Sequence, residues 1–353
     1  MTTALADNRK SESALSWIDR HITRLTLASP ARKAKMIEQK PIVLVTEPLA
    51  DAPMAWLRSR GEVIEASSNS ETFQRHAAAA VALVVRTYTR VDADLLAQLP
   101  KLRVVGRAGV GVDNIDLESC RARGVTVVHT PDANTQAVVE YVSCLILDAL
   151  RPRRFIRESL ALSAWESLRG EVVAVRQMSE LTLGILGCGR IGRRLAEVGT
   201  AIGFRVIFHD LLEIPQGQSG GALAVSLAAL FRESDVLSIH IDGRPSNRAF
   251  VGSALLETLP KTALVINTSR GMVLQSDALA KFLLANPAAR AILDVHDPEP
   301  FTADHPLIGL ANASLAPHLA SRTQTAVTNM SWVVRDVMGV IEGRQPQHPA
   351  ARR

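Results

Sequence analysis

The stretch LTLGILGCGRIG, residues 181–192, passes from an apolar run through a glycine-rich turn into the start of a helix. An apolar run of this length that ends at a turn signal is typical of a buried parallel strand. Gly187, Gly189 and Gly192 have the spacing GxGxxG. The first glycine allows a tight turn, the second lets backbone N–H groups approach a pyrophosphate, and the third lets the helix pack closely on the sheet. The stretch therefore indicates a phosphate-binding turn at a helix N-terminus.

The residues after this turn supply the context that the spacing requires. A helix is predicted over residues 191–201, Gly203 ends it, and a second strand is predicted over residues 204–209. Asp210 follows that strand, where a carboxylate can bind both ribose hydroxyls and repel a 2′-phosphate. A glycine-rich turn without a special role is the alternative, but strand, turn, helix, strand and acid in this order favour a dinucleotide. The sequence predicts NAD as the cofactor.

Length and charge narrow the class of protein. A chain of 353 residues suggests two domains. The net charge is +5, but residues 1–40 hold eight Lys/Arg and four Asp/Glu, so most of it lies there and no nucleic-acid surface is expected in the rest. Three cysteines without paired spacing predict neither a disulfide framework nor a metal site. The sequence shows neither a membrane-length apolar run nor a signal peptide, so we expect a cytoplasmic protein without a membrane partner.

From residue 41 onward, short apolar runs alternate with segments of helix length, which is typical of a parallel α/β fold. A long helix is predicted from residue 135 to about residue 154, a connecting stretch over residues 165–180, and a last helix over residues 325–341. The other predicted strands are residues 42–45, 63–66, 82–85, 102–105, 125–128, 236–241, 264–268, 291–295 and 314–316.

Charged or titratable residues follow three of the later strands. Arg270, the segment 294–299 and His318 come where ligands of such sheets bind, at the carboxyl ends of the strands. A histidine can protonate the alkoxide that hydride transfer to a ketone leaves, and a nearby carboxylate favours the imidazolium. Arginine binds the carboxylate of a 2-oxo acid bidentately. Taken singly, each residue is more often an ion pair, a structural hydrogen bond or a turn residue, but their joint placement favours a catalytic site.

At these residues the sequence resembles the D-isomer-specific 2-hydroxyacid dehydrogenase family, the group of D-3-phosphoglycerate, glycerate and hydroxypyruvate/glyoxylate enzymes. The similarity runs from residue 41 to about residue 343. Its motifs are VVRT at 84–87, GRAGVGVDNID at 106–116, NT at 134–135, GCGRIG at 187–192, INTSRG at 266–271, LDVHDPEP at 293–300 and PH at 317–318.

The resemblance implies an α/β fold with two Rossmann-like parallel-sheet domains, in which an NAD-binding domain is inserted into a flavodoxin-like substrate domain. The substrate domain would comprise residues 41–137 and 319–345, and the dinucleotide-binding domain residues 138–318. Residues 1–40 would be an amino-terminal extension, either a poorly ordered tail or a helix that packs on the body or a partner. The family is commonly dimeric through the cofactor domain, so a homodimer is expected.

The resemblance also implies roles for single residues. Arg270 would bind the substrate carboxylate and carbonyl, His318 would donate the proton, and Glu299 would pair with His318. Val110 and Gly111 would hold the substrate carboxylate through their backbone N–H groups, and Arg86 would be a further substrate contact. The implied cofactor contacts are Gly187, Gly189, Arg190, Ile191, Gly192, Asp210, Thr268 and Asp294.

Two positions depart from the family pattern. His296 stands where phenylalanine or tyrosine is common, and no role is assigned to it. The segment SIHIDG, residues 238–243, lacks the proline that usually comes two residues after its histidine.

The sequence thus predicts an NAD-dependent oxidoreductase that acts on a D-2-hydroxy acid and its 2-oxo acid. Glyoxylate or hydroxypyruvate is as plausible a substrate as 3-phosphoglycerate, which needs cations beyond Arg270, with Arg86, Arg90 and Arg107 as candidates. An NAD-responsive co-repressor of the same fold is the alternative from another class of protein. Oxidation of phosphite or formate ranks lower.

Overall fold

Two parallel β-sheets organise residues 40–350, the part of the chain that the computed structural model describes. The predicted extension therefore lies outside the described residues, apart from Lys40. The first sheet has the strand order β2-β1-β3-β4-β5, which is the flavodoxin-like order. Its strands are β1 (Ile42–Val45), β2 (Glu62–Glu65), β3 (Ala82–Val85), β4 (Val104–Arg107) and β5 (Thr126–Val128).

The second sheet has the order β12-β11-β10-β9-β6-β7-β8, and its strand order reverses between β6 and β9 as in a Rossmann fold. Two parallel sheets of these orders confirm the predicted fold class, while the exact domain limits stay a prediction. The strands are β6 (Thr182–Leu186), β7 (Arg205–His209), β8 (Leu223–Ala224), β9 (Val236–Ile239), β10 (Leu264–Asn267), β11 (Arg290–Leu293) and β12 (Ala313–Leu315).

Helices cover both faces of each sheet, as parallel strands buried on both sides require. The helices of residues 51–171 are α1 (Asp51–Arg60), α2 (Glu71–Ala77), α3 (Ala93–Ala97), α4 (Leu117–Ala122), α5 (Thr135–Leu150) and α6 (Leu162–Glu171). Those that follow are α7 (Arg190–Ile202), α8 (Leu227–Glu233), α9 (Ser253–Leu256), α10 (Ser276–Ala285), α11 (Gln324–Ser331) and α12 (Val334–Ile341).

The chain passes to the second sheet and then returns to the first. Val138, Val142 and Ile146 of α5 pack with Leu183 and Ile185 of the second sheet. Near the other end of the chain, α12 packs on the first sheet. Its Val337 is fully buried, and a methyl group at Gly106 of β4 would come within 2.4 Å of it. Burial of one such valine contributes about 1.5–3 kcal/mol, so α12 belongs to the core of the first sheet.

Three predicted elements differ from the structure. The long helix ends at Leu150 rather than near residue 154, because Pro152 disfavours a helical conformation at Arg151. The predicted connecting stretch overlaps α6, a helix that buries none of its residues against either sheet. The predicted last helix is divided into α11 and α12 by a turn at Trp332 and Val333. The predicted strands are all present, mostly with bounds shifted by one or two residues.

Candidate active site

The glycine-rich turn borders a cavity of about 360 Å³ between β6, β7 and the loop after β9. Gly187 has a φ of 96°, a left-handed conformation that suits glycine. A methyl group at Gly192 would come within 2.1 Å of the Gly187 carbonyl oxygen, whereas one at Gly189 would meet nothing within 4 Å. The first and third glycines thus build the turn, and the second leaves its backbone open to the cavity. The residues that form this turn are therefore suited to hold a dinucleotide.

Arg190, Ile191 and Asp210 line the same cavity. The Asp210 carboxylate accepts hydrogen bonds from the backbone N–H groups of Cys188, at 2.7 Å, and Leu212, at 2.9 Å. These bonds hold the carboxylate beside the glycine-rich turn, where the sequence pattern predicts the ribose. Arg190 forms an ion pair with Asp132, which follows β5 of the first sheet.

A second cavity, of about 180 Å³, lies where the carboxyl ends of both sheets meet. Its lining includes seven of the predicted site residues: Arg86, Val110, Gly111, Ile191, Thr268, Arg270 and His318. Arg270 is held from both sheets, because its Nε donates to Asp113 Oδ2 at 2.7 Å and its Nη1 donates to the Ser269 carbonyl at 2.6 Å. The Thr268 hydroxyl is buried and has no hydrogen-bond partner among residues 40–350. It is therefore available to a bound molecule.

Glu299 does not line this cavity but holds His318, which does. His318 Nδ1 lies 2.8 Å from Glu299 Oε2, and the His296 backbone N–H donates to Glu299 Oε1 at 2.9 Å. Burial alone would raise the pKa of Glu299, but these hydrogen bonds and the nearby histidines hold it below its usual value. Glu299 is therefore ionised at neutral pH. Its carboxylate fixes the ring of His318 and leaves Nε2 as the second polar atom of that ring.

The structure places Asp294 differently from the other predicted cofactor contacts. It is fully buried and lines neither cavity. Its carboxylate accepts hydrogen bonds from the backbone N–H groups of Leu319, at 2.7 Å, and Ala320, at 2.8 Å, and its carbonyl accepts from His318 at 2.9 Å. Asp294 thus anchors the segment that carries His318, and a contact with the cofactor stays a prediction.

Glu47, which the sequence patterns did not single out, supports the loop after β3. Its carboxylate accepts hydrogen bonds from the backbone N–H groups of all four residues 86–89, at 2.9–3.2 Å. Burial alone would raise the pKa of Glu47, but the four N–H groups hold it below its usual value. Glu47 follows shortly after β1, so the strand-end rule that identified Arg270 and His318 could have found it.

The second cavity is rich in positive charge. Arg86, Arg107 and Arg270 line it together with one acid, Asp242, which forms an ion pair with Arg244. Within residues 40–350, Arg107 forms no ion pair, and its buried Nε has no hydrogen-bond partner. Burial and the nearby Arg270 lower the pKa of Arg107 to about 10, so it stays charged at neutral pH.

His240 belongs to the segment 238–243, which lacks the proline usual in the family. It lies between the two cavities and lines both. Burial lowers the pKa of His240 to about 4, so this ring is neutral at physiological pH. Its Nε2 lies 2.8 Å from the Ser238 hydroxyl. Asp242 binds Nε and Nη2 of Arg244 at 2.7 and 2.6 Å, which gives the wall near the cofactor cavity a fixed polar pair.

Comparisons with known proteins agree with this geometry. A sequence model of one family, described as D-isomer specific 2-hydroxyacid dehydrogenase, NAD binding domain, matches residues 143–320, about half of the chain. The glyoxylate reductase of Aeropyrum pernix is 37% identical over 282 residues, which cover 78% of this chain and 84% of that protein. The chain belongs to the D-isomer specific 2-hydroxyacid dehydrogenase family.

Two further comparisons extend the relationship. The D-3-phosphoglycerate dehydrogenase of Archaeoglobus fulgidus is 30% identical over 305 residues, which cover 85% of this dehydrogenase but only 57% of that relative. The crystal structure of D-lactate dehydrogenase from Aquifex aeolicus, complexed with NAD and lactic acid, superimposes with a TM-score of 0.73 at 25% identity. That match covers 86% of this chain and 96% of the other.

Membership confirms the predicted family, its NAD cofactor and its reaction class. The protein is an oxidoreductase that transfers hydride between NAD(H) and a D-2-hydroxy acid or its 2-oxo acid. These findings offer nothing in favour of the co-repressor alternative. Within residues 40–350, no helix combines the length and the apolar character that crossing a bilayer requires.

Proposed function

We propose that Arg270, Glu299 and His318 carry the chemistry of this dehydrogenase. The observation that supports this most directly is the bond between His318 Nδ1 and Glu299 Oε2 at 2.8 Å, beside a cavity that both His318 and Arg270 line. When bound, NAD(H) supplies or accepts the hydride. The residues of the chain bind the acid and handle the proton.

In the reduction of a 2-oxo acid, Arg270 binds the substrate carboxylate and draws charge onto the carbonyl oxygen. The backbone N–H groups of Val110 and Gly111 hold the carboxylate from the first sheet. Protonated His318 gives the proton at Nε2 to the oxygen, and Glu299 stabilises the imidazolium through Nδ1. In the oxidation of a 2-hydroxy acid, neutral His318 takes the hydroxyl proton instead.

For the cofactor, we propose contacts at Gly187, Gly189, Arg190, Ile191 and Asp210. The open backbone at Gly189, the position of Asp210 beside it and the cavity of about 360 Å³ support them. Gly192 contributes by letting α7 approach the turn. The Thr268 hydroxyl has no partner among residues 40–350 and could bind the cofactor. Asp294 supports the site indirectly, because it anchors the segment that carries His318.

For the substrate, we propose a small 2-oxo acid with a second anionic group. Arg270 satisfies one carboxylate. Arg107 and Arg86 line the same cavity, and neither forms an ion pair within residues 40–350, while Arg86 Nη1 donates to the Pro48 carbonyl at 3.1 Å. Two further half-buried guanidinium groups strongly favour a second negative charge. The volume of about 180 Å³ favours a short carbon chain. The D-3-phosphoglycerate dehydrogenase among the relatives is named for a 2-hydroxy acid that carries such a second anionic group.

The roles of the three residues can be tested by following NADH absorbance with a panel of 2-oxo acids, with and without a second anionic group. His318→Gln should lower kcat by roughly 10²–10⁴-fold while NADH binding is retained. Arg270→Ala should raise KM for the 2-oxo acid and lower kcat together. His76→Gln, a change on α2 outside the cavity, is the matched control. Turnover close to wild type in His318→Gln would remove this residue from the mechanism.

We also propose that the protein is a homodimer that works in the cytoplasm, in keeping with its three free cysteines. The segment 151–175 supports a second copy as the partner, because α6 buries no residue in its own chain. The segment also exposes six large apolar side chains: Phe155, Ile156, Leu162, Trp165, Val173 and Val175. An exposed apolar surface of this kind usually marks an interface.

Light scattering during gel filtration would test the dimer. The wild type should have twice the mass of one chain, and Trp165→Glu should give a monomer. A wild-type monomer would refute the proposal.

A further inference from the structure

His296, His305 and Phe301 form a buried ring cluster behind the Glu299–His318 pair. His296 and His305 are each only 8% exposed. The rings of His296 and Phe301 meet edge to face with centroids 4.6 Å apart, and the rings of His296 and His305 do so at 5.8 Å. Buried imidazole nitrogens need hydrogen-bond partners, and these partners determine which nitrogen of each ring carries the proton.

His296 contacts both sides of the catalytic pair. Its backbone N–H donates to Glu299 Oε1, and its ring Nε2 lies 2.9 Å from the carbonyl oxygen of Ala316. A carbonyl oxygen can only accept, so Nε2 of His296 carries the proton. In a neutral ring, Nδ1 is then an acceptor. This Nδ1 is buried and has no partner among residues 40–350.

His305 has the complementary arrangement. The Leu307 backbone N–H donates to His305 Nδ1 over 3.5 Å, so the proton of the neutral ring is on Nε2. Nε2 of His305 is likewise buried without a partner among the described residues. One ring therefore presents an unpaired donor and the neighbouring ring an unpaired acceptor.

The carbonyl that His296 binds lies two residues before His318. His318 has a φ of 56°, a left-handed conformation that a residue with a side chain adopts only when its surroundings enforce it. The bond to Ala316 restrains the chain that enters this conformation. The bond to Glu299 restrains the carboxylate that His318 contacts. Both restraints come from one residue.

We propose that His296, oriented by His305 through a hydrogen bond that a water molecule mediates, is a positioning residue for the Glu299–His318 pair. The inference rests on the proposed function, in which these two residues act on the substrate. Phenylalanine at position 296 would fill the space of the ring and keep the edge contact with Phe301. It would leave the Ala316 carbonyl without its donor, so the histidine contributes a hydrogen bond that phenylalanine cannot.

Two substitutions separate the hydrogen bond from the packing. His296→Phe keeps the ring and should lower kcat about 10-fold, with KM for NADH unchanged, because small misplacements of catalytic groups are costly. His296→Gln places an amide N–H near the position of Nε2 and should restore kcat to within about 3-fold of wild type. Phe301→Leu disturbs the same cluster without removing a polar atom, so it should keep kcat within about 3-fold. Thermal unfolding of each variant reports any loss of fold.

The tautomer offers a second readout that needs no substitution at position 296. In ¹⁵N-labelled protein, His296 should show a protonated Nε2 and an Nδ1 that accepts a hydrogen bond. In His305→Phe, the Nδ1 resonance should move towards that of an unbonded nitrogen. A protonated Nδ1 in the wild type would overturn the proposal, and so would wild-type kcat in His296→Phe. If His318→Gln kept its turnover, the proposed function itself would fail, which is a different result.

Discussion

The guanidinium of Arg270 lies directly against the backbone of Gly111, so closely that a methyl group at Gly111 would come within 1.8 Å of Nη2. Arg270 follows β10 of the second sheet, and Gly111 lies in the loop after β4 of the first. The contact joins two substrate-binding elements that are far apart in the sequence. It also brings the proposed backbone donors of residues 110–111 next to the proposed carboxylate-binding arginine.

Gly111→Ala should therefore impair substrate binding more than stability. The new methyl group would meet the ends of two flexible side chains, Arg270 and Asp113, which can move aside. We expect KM for the 2-oxo acid to rise about 10-fold, because the displaced guanidinium loses a charge-assisted hydrogen bond of about 1.5–3 kcal/mol. Steady-state kinetics with a fixed NADH concentration measure this effect. Gly217→Ala, where a methyl group meets nothing within 4 Å, is the control. Equal KM values in the two variants would contradict the proposed role of the contact.

Local sequence patterns predicted most of the architecture. The buried strand β6 and the turn at Gly187 depend on residues close together in the chain, so their composition and spacing suffice to identify them. The same holds for strand ends, which is why the sequence alone could place Arg270 and His318 beside one site. The family resemblance added the pairing of Glu299 with His318, which spacing alone does not give.

Features that depend on distant contacts were not predictable. Whether Arg107 meets an acid depends on which side chains the fold brings near it. The bonds from Glu47 reach residues about 40 positions further along the chain, as the separations of 39 and 42 residues to Arg86 and Thr89 show. Such pairs are visible only once the strands are ordered.

Arg107 should select acids that carry a second anionic group. Arg107→Met removes the charge but keeps much of the side-chain volume. We expect kcat/KM for a phosphorylated 2-oxo acid to fall about 10–100-fold, since hydrogen bonds to charged groups contribute about 1.5–3 kcal/mol. The value for glyoxylate should change less than about 3-fold. Initial rates with both substrates measure the ratio.

Arg90→Met is the matched control for this prediction. Arg90 was an equal candidate in the sequence, but it is exposed, contacts Asp92 and does not line the cavity. Its substitution should leave the preference unchanged. A similar loss for both substrates in Arg107→Met would show that Arg107 stabilises the site rather than selects the acid.

Glu47 should stabilise the fold in a pH-dependent way. The pKa of its carboxyl group is lower in the folded protein than its usual value, because four backbone N–H groups outweigh the effect of burial. The stabilisation is therefore complete above the pKa of the unfolded chain, about 4.3, and is lost as the pH falls through the folded value. Glu47→Gln should lower the free energy of unfolding at pH 7 by about 1–3 kcal/mol. The difference from wild type should shrink as the pH falls below about 4.

Denaturant unfolding of wild type and Glu47→Gln across this pH range measures both effects. Glu65→Gln serves as the control, because Glu65 ends β2 of the same sheet and pairs with the exposed Arg58 at the surface. That substitution should change the free energy of unfolding by less than about 1 kcal/mol. A constant difference between wild type and Glu47→Gln from about pH 7 down to about pH 3 would mean that the ionised carboxylate does not hold the loop. The loss of stability would then come from a change in side-chain packing. The negative charge of Glu47 would not contribute to holding the loop that carries Arg86.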